Sequence, residues 1–569
     1  MSTLPLRPSA LLLLLTVVAC NKGEVDTAQG RTAEEPPALL AMDDPAPAAW
    51  LAAGPNTVSG RSRSLSSVTV NGVDMTQNTD AETWSGAVTL DRGVSLLTAV
   101  GTEGDGDTLQ AYAGVIAGEY GDPGLSVEDA IALRVNESGL QELMGLVSGF
   151  LTVDFLREAA LGANPIFSTS FAGVDIDANI TDLDFGAPEI TADPVSDRIA
   201  LSVVIPDFSI SADIVTSFFT ASLFATASAV EMEGALVIDA VDGALSVELI
   251  DTDLGLTDLE VGISGWADWL NTAISFIVGL FEESLVGFLL EQLDATIPPL
   301  LDDALAGLDP SFTTELLGKE LTLEASFADV SIDTNGIAIL LDANVTVPSE
   351  SGYTYAGYLL AEGGAAEVST APDIGAALSD DLLNRLFFEL WRGGMLKLAI
   401  TSEEQPALAL LFTKLKATGG TIAVDARLPP VIVEKDGALQ LQICELDTQI
   451  STPDGEFGTE LTLALCAWVE ITPVVADGVL SVELGDADFS IVVRDSNWGT
   501  STEAITNLVA EALPEETVKL LLNAAVSSAL QIELPVLFGL AFESGTVTRD
   551  ESGVHTDVAM DVTYVGEAP

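Results

Sequence analysis

The chain has 569 residues, 48% of them hydrophobic, enough for sizeable cores in three or four domains, so disorder as a whole is excluded. Lys plus Arg number 20 against 87 Asp plus Glu, a formal net charge of -67, which bears on solubility and partners rather than fold and disfavours nucleic acid. That charge repels anionic lipid headgroups at long range unless salt or divalent cations screen it, and a salt-rich habitat is one explanation for it.

Arg7, the apolar run Ala10–Val18 and Val17-Val18-Ala19-Cys20 resemble a bacterial lipoprotein signal with its lipobox; a cytoplasmic start with a chance apolar run is the alternative. The resemblance implies a signal peptide over 1–19 and an acylated Cys20. A diacylglycerol thioether plus an N-acyl chain exceeds the two hydrophobic signals that stable anchoring needs. Asn21 stands where enterobacterial proteins kept at the inner membrane carry Asp, so the expected location is the bacterial cell envelope, at the outer membrane, facing the periplasm or the cell surface. Residues 20–57, rich in Ala, acidic residues and Pro, including Pro36-Pro37, Pro45 and Pro47, read as a tether. Fully extended, it would reach on the order of 100 Å.

Residues 58–122 alternate strands and turns: Val68–Val70 before Asn71-Gly72, then Trp84–Leu90, Ser95–Val100 and Leu109–Ala117. This rhythm predicts a small β-sandwich. The runs VTVNG and DRGVSLLTAVGTEGDG, with a tryptophan-bearing strand between them, are similar to bacterial immunoglobulin-like modules, which implies a spacer or adhesive surface and no chemistry.

Beyond Asp129–Asn136, the stretch Gly139–Leu156 carries Leu140, Leu143, Met144, Val147, Phe150 and Leu151 at helical spacing. Strands are expected next, with apolar positions such as Val174, Ile176, Ile199, Leu201, Ile210 and Leu236 alternating with Asp, Ser and Thr. Asp175, Asp177 and Asn179 begin like a calcium loop, but Ile180 stands where Gly is required and Gly186 where Glu should be, so they read as the solvated face of a strand. Trp266–Leu308 is expected to be mostly helical and broken at Pro298-Pro299. Only 13 residues separate Asp268 from Glu282, too few for a membrane span of about 20.

In the second half, Ser379–Trp391 carries Leu382, Leu383, Leu386, Phe387 and Leu390, with Ser379 as N-cap and Asp380 and Asp381 in the first turn. Asp477–Asp488 (DGVLSVELGDAD) matches Asp242–Asp253 (DGALSVELIDTD) at nine of twelve positions. Each copy leads into an expected helix, at Trp266 and at Ser501, which predicts two halves of order helix, strands, helix. A chance recurrence of Asp-Gly before an alternating strand is the alternative, as Asp436-Gly437-Ala438-Leu439 illustrates.

Asp129–Asn136 (DAIALRVN) followed by Ser138-Gly139-Leu140, then Leu378-Ser379-Asp380 within Ile374–Ile400, then Leu428-Pro429-Pro430-Val431 leading to Asp436-Gly437, and a closing hairpin from Phe542 through Glu551-Ser552-Gly553 to Val562, resemble in order and spacing one family. It is that of bactericidal/permeability-increasing protein, lipopolysaccharide-binding protein and cholesteryl ester transfer protein, in the tubular lipid-binding (TULIP) superfamily. The likeness covers about Val127–Tyr564. It implies an α+β fold of two tandem elongated antiparallel β-sheets, each wrapped around a long helix and related by a pseudo-twofold. The first barrel would be 127–317 and the second 318–566, joined by a central sheet near Leu316–Val347.

The resemblance further implies an exported lipid-binding or lipid-transfer protein that shelters the acyl chains of a phospholipid or other acyl lipid, without catalysis or cofactor. Leu140, Leu143, Met144, Val147, Phe150 and Leu151 would line the first pocket and Leu382, Leu386, Phe387 and Leu390 the second, each being equally readable as ordinary core. A structural or adhesive surface lipoprotein with filled barrels is the other reading. The family's defensive members bind lipopolysaccharide through a basic tip, and with 87 acidic against 20 basic residues that activity is not carried over.

Cys444 and Cys466 are centred on Gly455 in the turn Thr452–Glu456, so they should face each other across a hairpin, opposite Leu441, Ile443, Leu463 and Leu465. A cross-strand disulfide is geometrically possible there, two unpaired thiols being the alternative. The family's mammalian members keep theirs in the first half, a departure that questions close orthology. His555 is the only histidine, which excludes zinc sites of His/Cys type. G-x-S-x-G, H-E-x-x-H and G-x-x-x-x-G-K-[ST] are absent from the sequence, so no catalytic residue or metal ligand is expected; protein partners are not identified.

Overall fold

The computed structural model describes residues 38–564 apart from 172, 266–273, 307–310, 317–318, 351, 362–367, 369–372, 404–411, 436–437, 456–457, 477–478, 498–531, 534–539 and 550–554. Its first unit is a β-sandwich built from β1 (Leu39–Asp44), β2 (Ala49–Leu51), β3 (Gly54–Arg63), β4 (Ser67–Val70), β5 (Val73–Asp74), β6 (Thr76–Asn78), β7 (Thr83–Leu90), β8 (Gly93–Thr102) and β9 (Thr108–Ala117). The two sheets have orders β1-β3-β7-β6 and β2-β9-β8-β4-β5. Alternation puts Val58, Val68, Val70, Trp84, Leu97 and Val115 between them.

Residues 39–57 are therefore not free tether, as their composition suggested; they supply β1, β2 and the start of β3. The buried Trp84 ring explains the correction: its indole N–H donates to the Ala41 carbonyl at 3.1 Å, and Leu40 and Met42 pack on the same core. The proline-rich setting hides two strands too short to show a period.

β10 (Tyr120–Gly121) and β11 (Val127–Asn136) leave the sandwich, and β11 runs directly into α1 (Glu137–Phe150). The single helix expected over Gly139–Leu156 is two, because Thr152 adopts an extended backbone and its side chain accepts from the Phe155 amide, capping α2 (Val153–Gly162). Then come β12 (Phe167–Phe171), β13 (Val174–Asp184), β14 (Glu189–Val195), β15 (Arg198–Thr216), β16 (Thr220–Val241), β17 (Ala244–Thr257) and β18 (Glu260–Ser264). They form one antiparallel sheet of order β12-β13-β15-β16-β17, with β14 on β15 and β18 on β16.

Next is α3 (Ile274–Ala306). Ile277, Phe281, Leu285, Leu289, Leu293, Ile297 and Leu301, each four residues from the last, make one buried stripe along it. The helix runs through Pro298-Pro299, where a break was expected. Ile297 and Leu301 on either side stay fully buried, so packing sustains the helix where two backbone hydrogen bonds are lost.

The remaining elements are β19 (Phe312–Leu316), β20 (Lys319–Asp333), β21 (Gly336–Thr346), β22 (Tyr358–Leu359), β23 (Ile374–Ser379), α4 (Asp380–Arg392), β24 (Lys397–Thr401), β25 (Thr421–Ala426) and β26 (Val431–Lys435). After them come β27 (Ala438–Ser451), β28 (Glu460–Ala476), β29 (Val479–Ser496), β30 (Ile532–Glu533), β31 (Leu540–Arg549) and β32 (His555–Tyr564). A large sheet runs β19-β20-β21-β11-β23-β32-β31-β28-β27-β25-β24, so strands do occupy the stretch near Leu316–Val347. The boundary expected at 317/318 falls inside the β19–β20 hairpin, where Leu316 pairs with Lys319. The halves thus share a sheet, with no seam at that point.

The sheet order is symmetric about the antiparallel pair β11 and β23: the hairpin β20–β21 flanks one, β31–β32 flanks the other, and each central strand feeds a helix. The sequence repeat has the same counterpart. Its copies lead into β17 and β29, which pair with the long strands β16 and β28, and both pairings carry a bulge within the repeated segment. The helix expected from Ser501 lies outside the described residues.

Cys444 on β27 and Cys466 on β28 are disulfide-bonded. Leu441, Ile443, Leu463 and Leu465 enter the main core and the disulfide lies on the other face. That face is covered by the sandwich: Val94 of β8 and Ile116 of β9 pack on the disulfide with Leu359, Leu428, Val431 and Val433. At the closest approach the Gly114 amide donates to Glu445 Oε1 at 2.7 Å. The Val94 amide donates to Gln442 Oε1 at 2.7 Å, and the Trp468 indole donates to the Val94 carbonyl at 3.2 Å.

A Cβ on Gly114 would stand 2.6 Å from Cys444 Sγ. Gly114→Val should therefore separate the sandwich from the sheet, at an overpacking cost of about 1 to 3 kcal/mol. Limited proteolysis of the 118–126 connection and thermal melting check this; parent-like cleavage and melting would contradict the docking.

Candidate functional site

The interior of the first half is an apolar layer between the sheet and the helices. Leu140, Leu143, Met144 and Leu151 are buried in the same core as Ile190, Ile199, Leu201, Ile210 and Leu289. Gln141 Nε2 donates to the Ala192 carbonyl at 2.8 Å, fixing α1 on β14. The side chains of Val147 and Phe150 lie outside the described residues. α3 lies along β17, and its buried stripe from Ile277 to Leu301 extends the layer for about 36 Å at helical rise. Near the start of α3, the Phe276 ring lies 6.0 Å from that of Phe171.

In the second half, Leu382, Phe387 and Leu390 are buried and Leu386 is half-buried. Ser379 caps α4, its hydroxyl accepting from the Leu382 amide at 3.1 Å. The helix is not apolar on one face only, because Asn384, Arg385, Phe388, Glu389 and Trp391 are buried as well. Asn384 exchanges two hydrogen bonds with the backbone of Ile432. Arg385 donates to the Pro123 carbonyl at 2.6 Å and lies 3.2 Å from Glu389. Burial pushes the Glu389 carboxyl up, against its bond from Arg392, and pushes the Arg385 guanidinium down.

α4 is thus a buried strut joining the β11, β21 and β23 strands of the large sheet, the chain leaving the sandwich at Pro123, and β26. Sequence reading missed Arg385 and Glu389; their spacing of four on an otherwise apolar helix was the available signal. Trp391 ends the strut in an aromatic cluster: Tyr353 stacks on it at 5.9 Å and Trp50 tilts against it at 6.3 Å. The Trp391 indole donates to the Ala426 carbonyl at 2.7 Å. Burial, with a hydrogen bond to Asp425, pushes the Tyr353 phenol up to about 12.

Cavities lie at the junctions of this frame, among the described residues. One, of about 550 Å³, is lined by Asp122, Glu128, Asp129, Asp342 and Asp381, with Leu125 and Tyr358. A second, of about 540 Å³, lies beside Tyr120, Tyr355 and Arg392. A third, of about 570 Å³, is lined by Lys319, Glu350, Tyr353, Trp391, Lys397 and Asp425, the lysines being paired with Glu350 and Asp425. These polar crevices suit water and ions rather than acyl chains.

Burial raises the Asp381 carboxyl, although the Ala361 amide donates to it. With the folded value above the unfolded one, ionisation costs stability: the contribution is full below the ordinary carboxylate range and is lost as pH rises through the raised value. Asp381→Asn keeps an acceptor and removes the charge. It should raise the melting temperature at pH 8 relative to the parent and leave it unchanged at pH 4; a variant less stable than the parent at pH 8 would contradict the sign.

No protein-family model matches the chain, and no curated protein matches it. Among solved structures it is similar to lipopolysaccharide binding protein at 15% identity, over 77% of this chain and 100% of that one, with a TM-score of 0.41. It is similar to P47 of Clostridium botulinum E1 at 10% identity, again over 77% and 100%, with a TM-score of 0.27. A third similarity is to the fibronectin(III)-like modules of CbhA from Clostridium thermocellum, at 9% identity over 39% of this chain and 90% of that one, with a TM-score of 0.12. At such scores no statement about function passes from those proteins to this chain.

Proposed function

We propose that the chain is an exported, membrane-anchored lipid-binding or lipid-transfer protein, in which each half is a sheet wrapped around a long helix that shelters acyl chains. The observation that supports this reading is the single apolar core that takes in both the buried stripe of α3 and the inward positions of β13, β15, β16 and β17, with α3 lying along β17. A phospholipid chain lying in it gains roughly 0.8 kcal/mol per methylene withdrawn from water. Because a bilayer offers the same gain, transfer is an exchange between similar environments, with no catalytic step. Leu140, Leu143, Met144 and Leu151, and in the second half Leu382, Phe387 and Leu390, stand on the walls of such pockets in this reading.

A specific observation favours the second reading, a structural or adhesive surface lipoprotein: Leu140 and Met144 are fully buried against protein neighbours, as in a filled core. Mass spectrometry under native conditions separates the two. The purified parent should carry acyl lipid. Leu143→Trp with Leu289→Trp should lose that lipid and melt near the parent temperature, since a cavity accepts added volume by giving up its ligand. A filled core instead loses about 1 to 3 kcal/mol or more per site. A parent without lipid and a destabilised variant would leave the structural reading standing.

The anchor belongs to the same proposal. Cys20→Ser should release the protein from the envelope membranes into the soluble fraction. Membrane attachment and mass unchanged from the parent would refute acylation at Cys20.

A further inference from the structure

We infer that the free end of the β15–β16 hairpin, with the neighbouring start of α3, is a docking surface for a neutral lipid bilayer. This contact rests on the lipid-carrying reading for its purpose, and names the surface with which such a carrier would exchange lipid.

The first observation is exposure. Phe218 at the turn is 76% exposed, Phe224 51%, Phe276 45% and Val215 37%, and Phe171 joins them through its ring contact with Phe276. Exposed aromatic residues gathered at one end mark an interaction surface.

The second is charge. In a chain with 87 acidic residues, Ile214–Val230 contains no Asp, Glu, Lys or Arg, and neither does Ala159–Val174, which reaches the same end through β12. Carboxylates begin at its margin, with Asp175 at the start of β13, Asp177 opposite Val215 and Asp213 opposite Ser222, while the turn around Phe218 has none of its own. A surface of this kind has nothing to offer a charged headgroup and little to lose on leaving water.

The third is the turn itself. The Thr216 hydroxyl accepts from the amides of Phe218 and Phe219 at 3.2 and 3.1 Å and donates to the Phe219 carbonyl at 2.9 Å. The Thr216 amide donates to the same carbonyl at 3.0 Å. Lipid supplies no hydrogen bonds, so a segment entering it must satisfy its own backbone. Here Thr216 binds the amides of Phe218 and Phe219 and the Phe219 carbonyl beneath the most exposed phenylalanine of the end.

The fourth is position. The opposite end of the hairpin is braced on the large sheet, the Asp197 amide donating to the Ile332 carbonyl and the Phe327 amide to that of Gly243. The phenylalanine end lies a full strand away, about 60 Å along β15.

The test uses the chain from residue 20 onward carrying Cys20→Ser, so that neither signal nor acyl anchor contributes, and phosphatidylcholine vesicles in a flotation assay. The parent should float with the vesicles. Phe218→Asp with Phe224→Asp should reduce the floated fraction at least tenfold while melting as the parent does and keeping its co-purified lipid. Val73→Asp, which adds charge at an exposed valine of the sandwich, should float like the parent. The inference is overturned if the parent does not float, if the double variant floats as well as the parent, or if Val73→Asp lowers flotation equally. It is also overturned if sedimentation shows the parent dimerising through Phe218, which would make the end a self-association surface. Lipid in the parent without flotation would sink this contact alone; no lipid in the parent would sink the carrier reading.

Discussion

The antiparallel pairing of β11 with β23 is the constraint on which the rest depends. Ile131, Leu133 and Val135 stand opposite Leu378, Ala376 and Ile374, and each strand passes straight into a helix. A one-residue slip would turn every side chain of either strand to the other face and rotate α1 or α4 out of its place. The flanking hairpins β20–β21 and β31–β32 continue the register outward, so the helices of both halves are referred to one seam. The Arg134 guanidinium on β11 holds Asp333 on β20 at 2.6 Å and keeps its carboxyl below the usual range.

The sandwich changes what the outer face of that frame has to be. A hairpin such as β27–β28 would ordinarily bury one face and wet the other. Here the second face carries the disulfide, Gln442 and the bulged Glu445, whose positive φ of 54° turns its carboxylate toward Gly114. Arg494 and Arg427 reach the other oxygen of that carboxylate, so a buried charge keeps partners on both sides, as it must when removed from water. α4 follows the same logic, with Glu389 set between Arg385 and Arg392.

Local signals carried much of this into the sequence. The alternation of Ile199–Leu201–Val203, the Ser379 cap and the cysteines placed symmetrically about Gly455 each depend on a few adjacent residues. What the sequence concealed depends on distant ones. β1 exists because Ala41 meets Trp84, and α3 continues through Pro298-Pro299 because Ile297 and Leu301 are held from outside. Arg385 and Glu389 look like a solvent-facing pair until the chain leaving the sandwich closes over them at Pro123. Of the candidate site, the apolar faces of α1 and α4 were legible. The polar burial behind α4 was not, since periodicity cannot tell a helix covered on one side from one covered on all.

The distribution of the 20 basic residues completes the physical picture. Arg134, Arg157, Arg385, Arg392, Arg427 and Arg494 are engaged in ion pairs within the fold. Cations spent on internal pairs leave a surface dominated by carboxylates, and such a surface cannot approach anionic headgroups closer than about a Debye length, near 8 Å at physiological salt, without repulsion. Any lipid surface this chain meets must be contacted where the acids are missing and the backbone is already satisfied. At the hairpin end the turn around Phe218 carries no charge and Thr216 binds the Phe218 and Phe219 amides, and its opposite end is braced on the shared sheet. An attraction that owes nothing to charge is the form of lipid contact open to a protein of this composition.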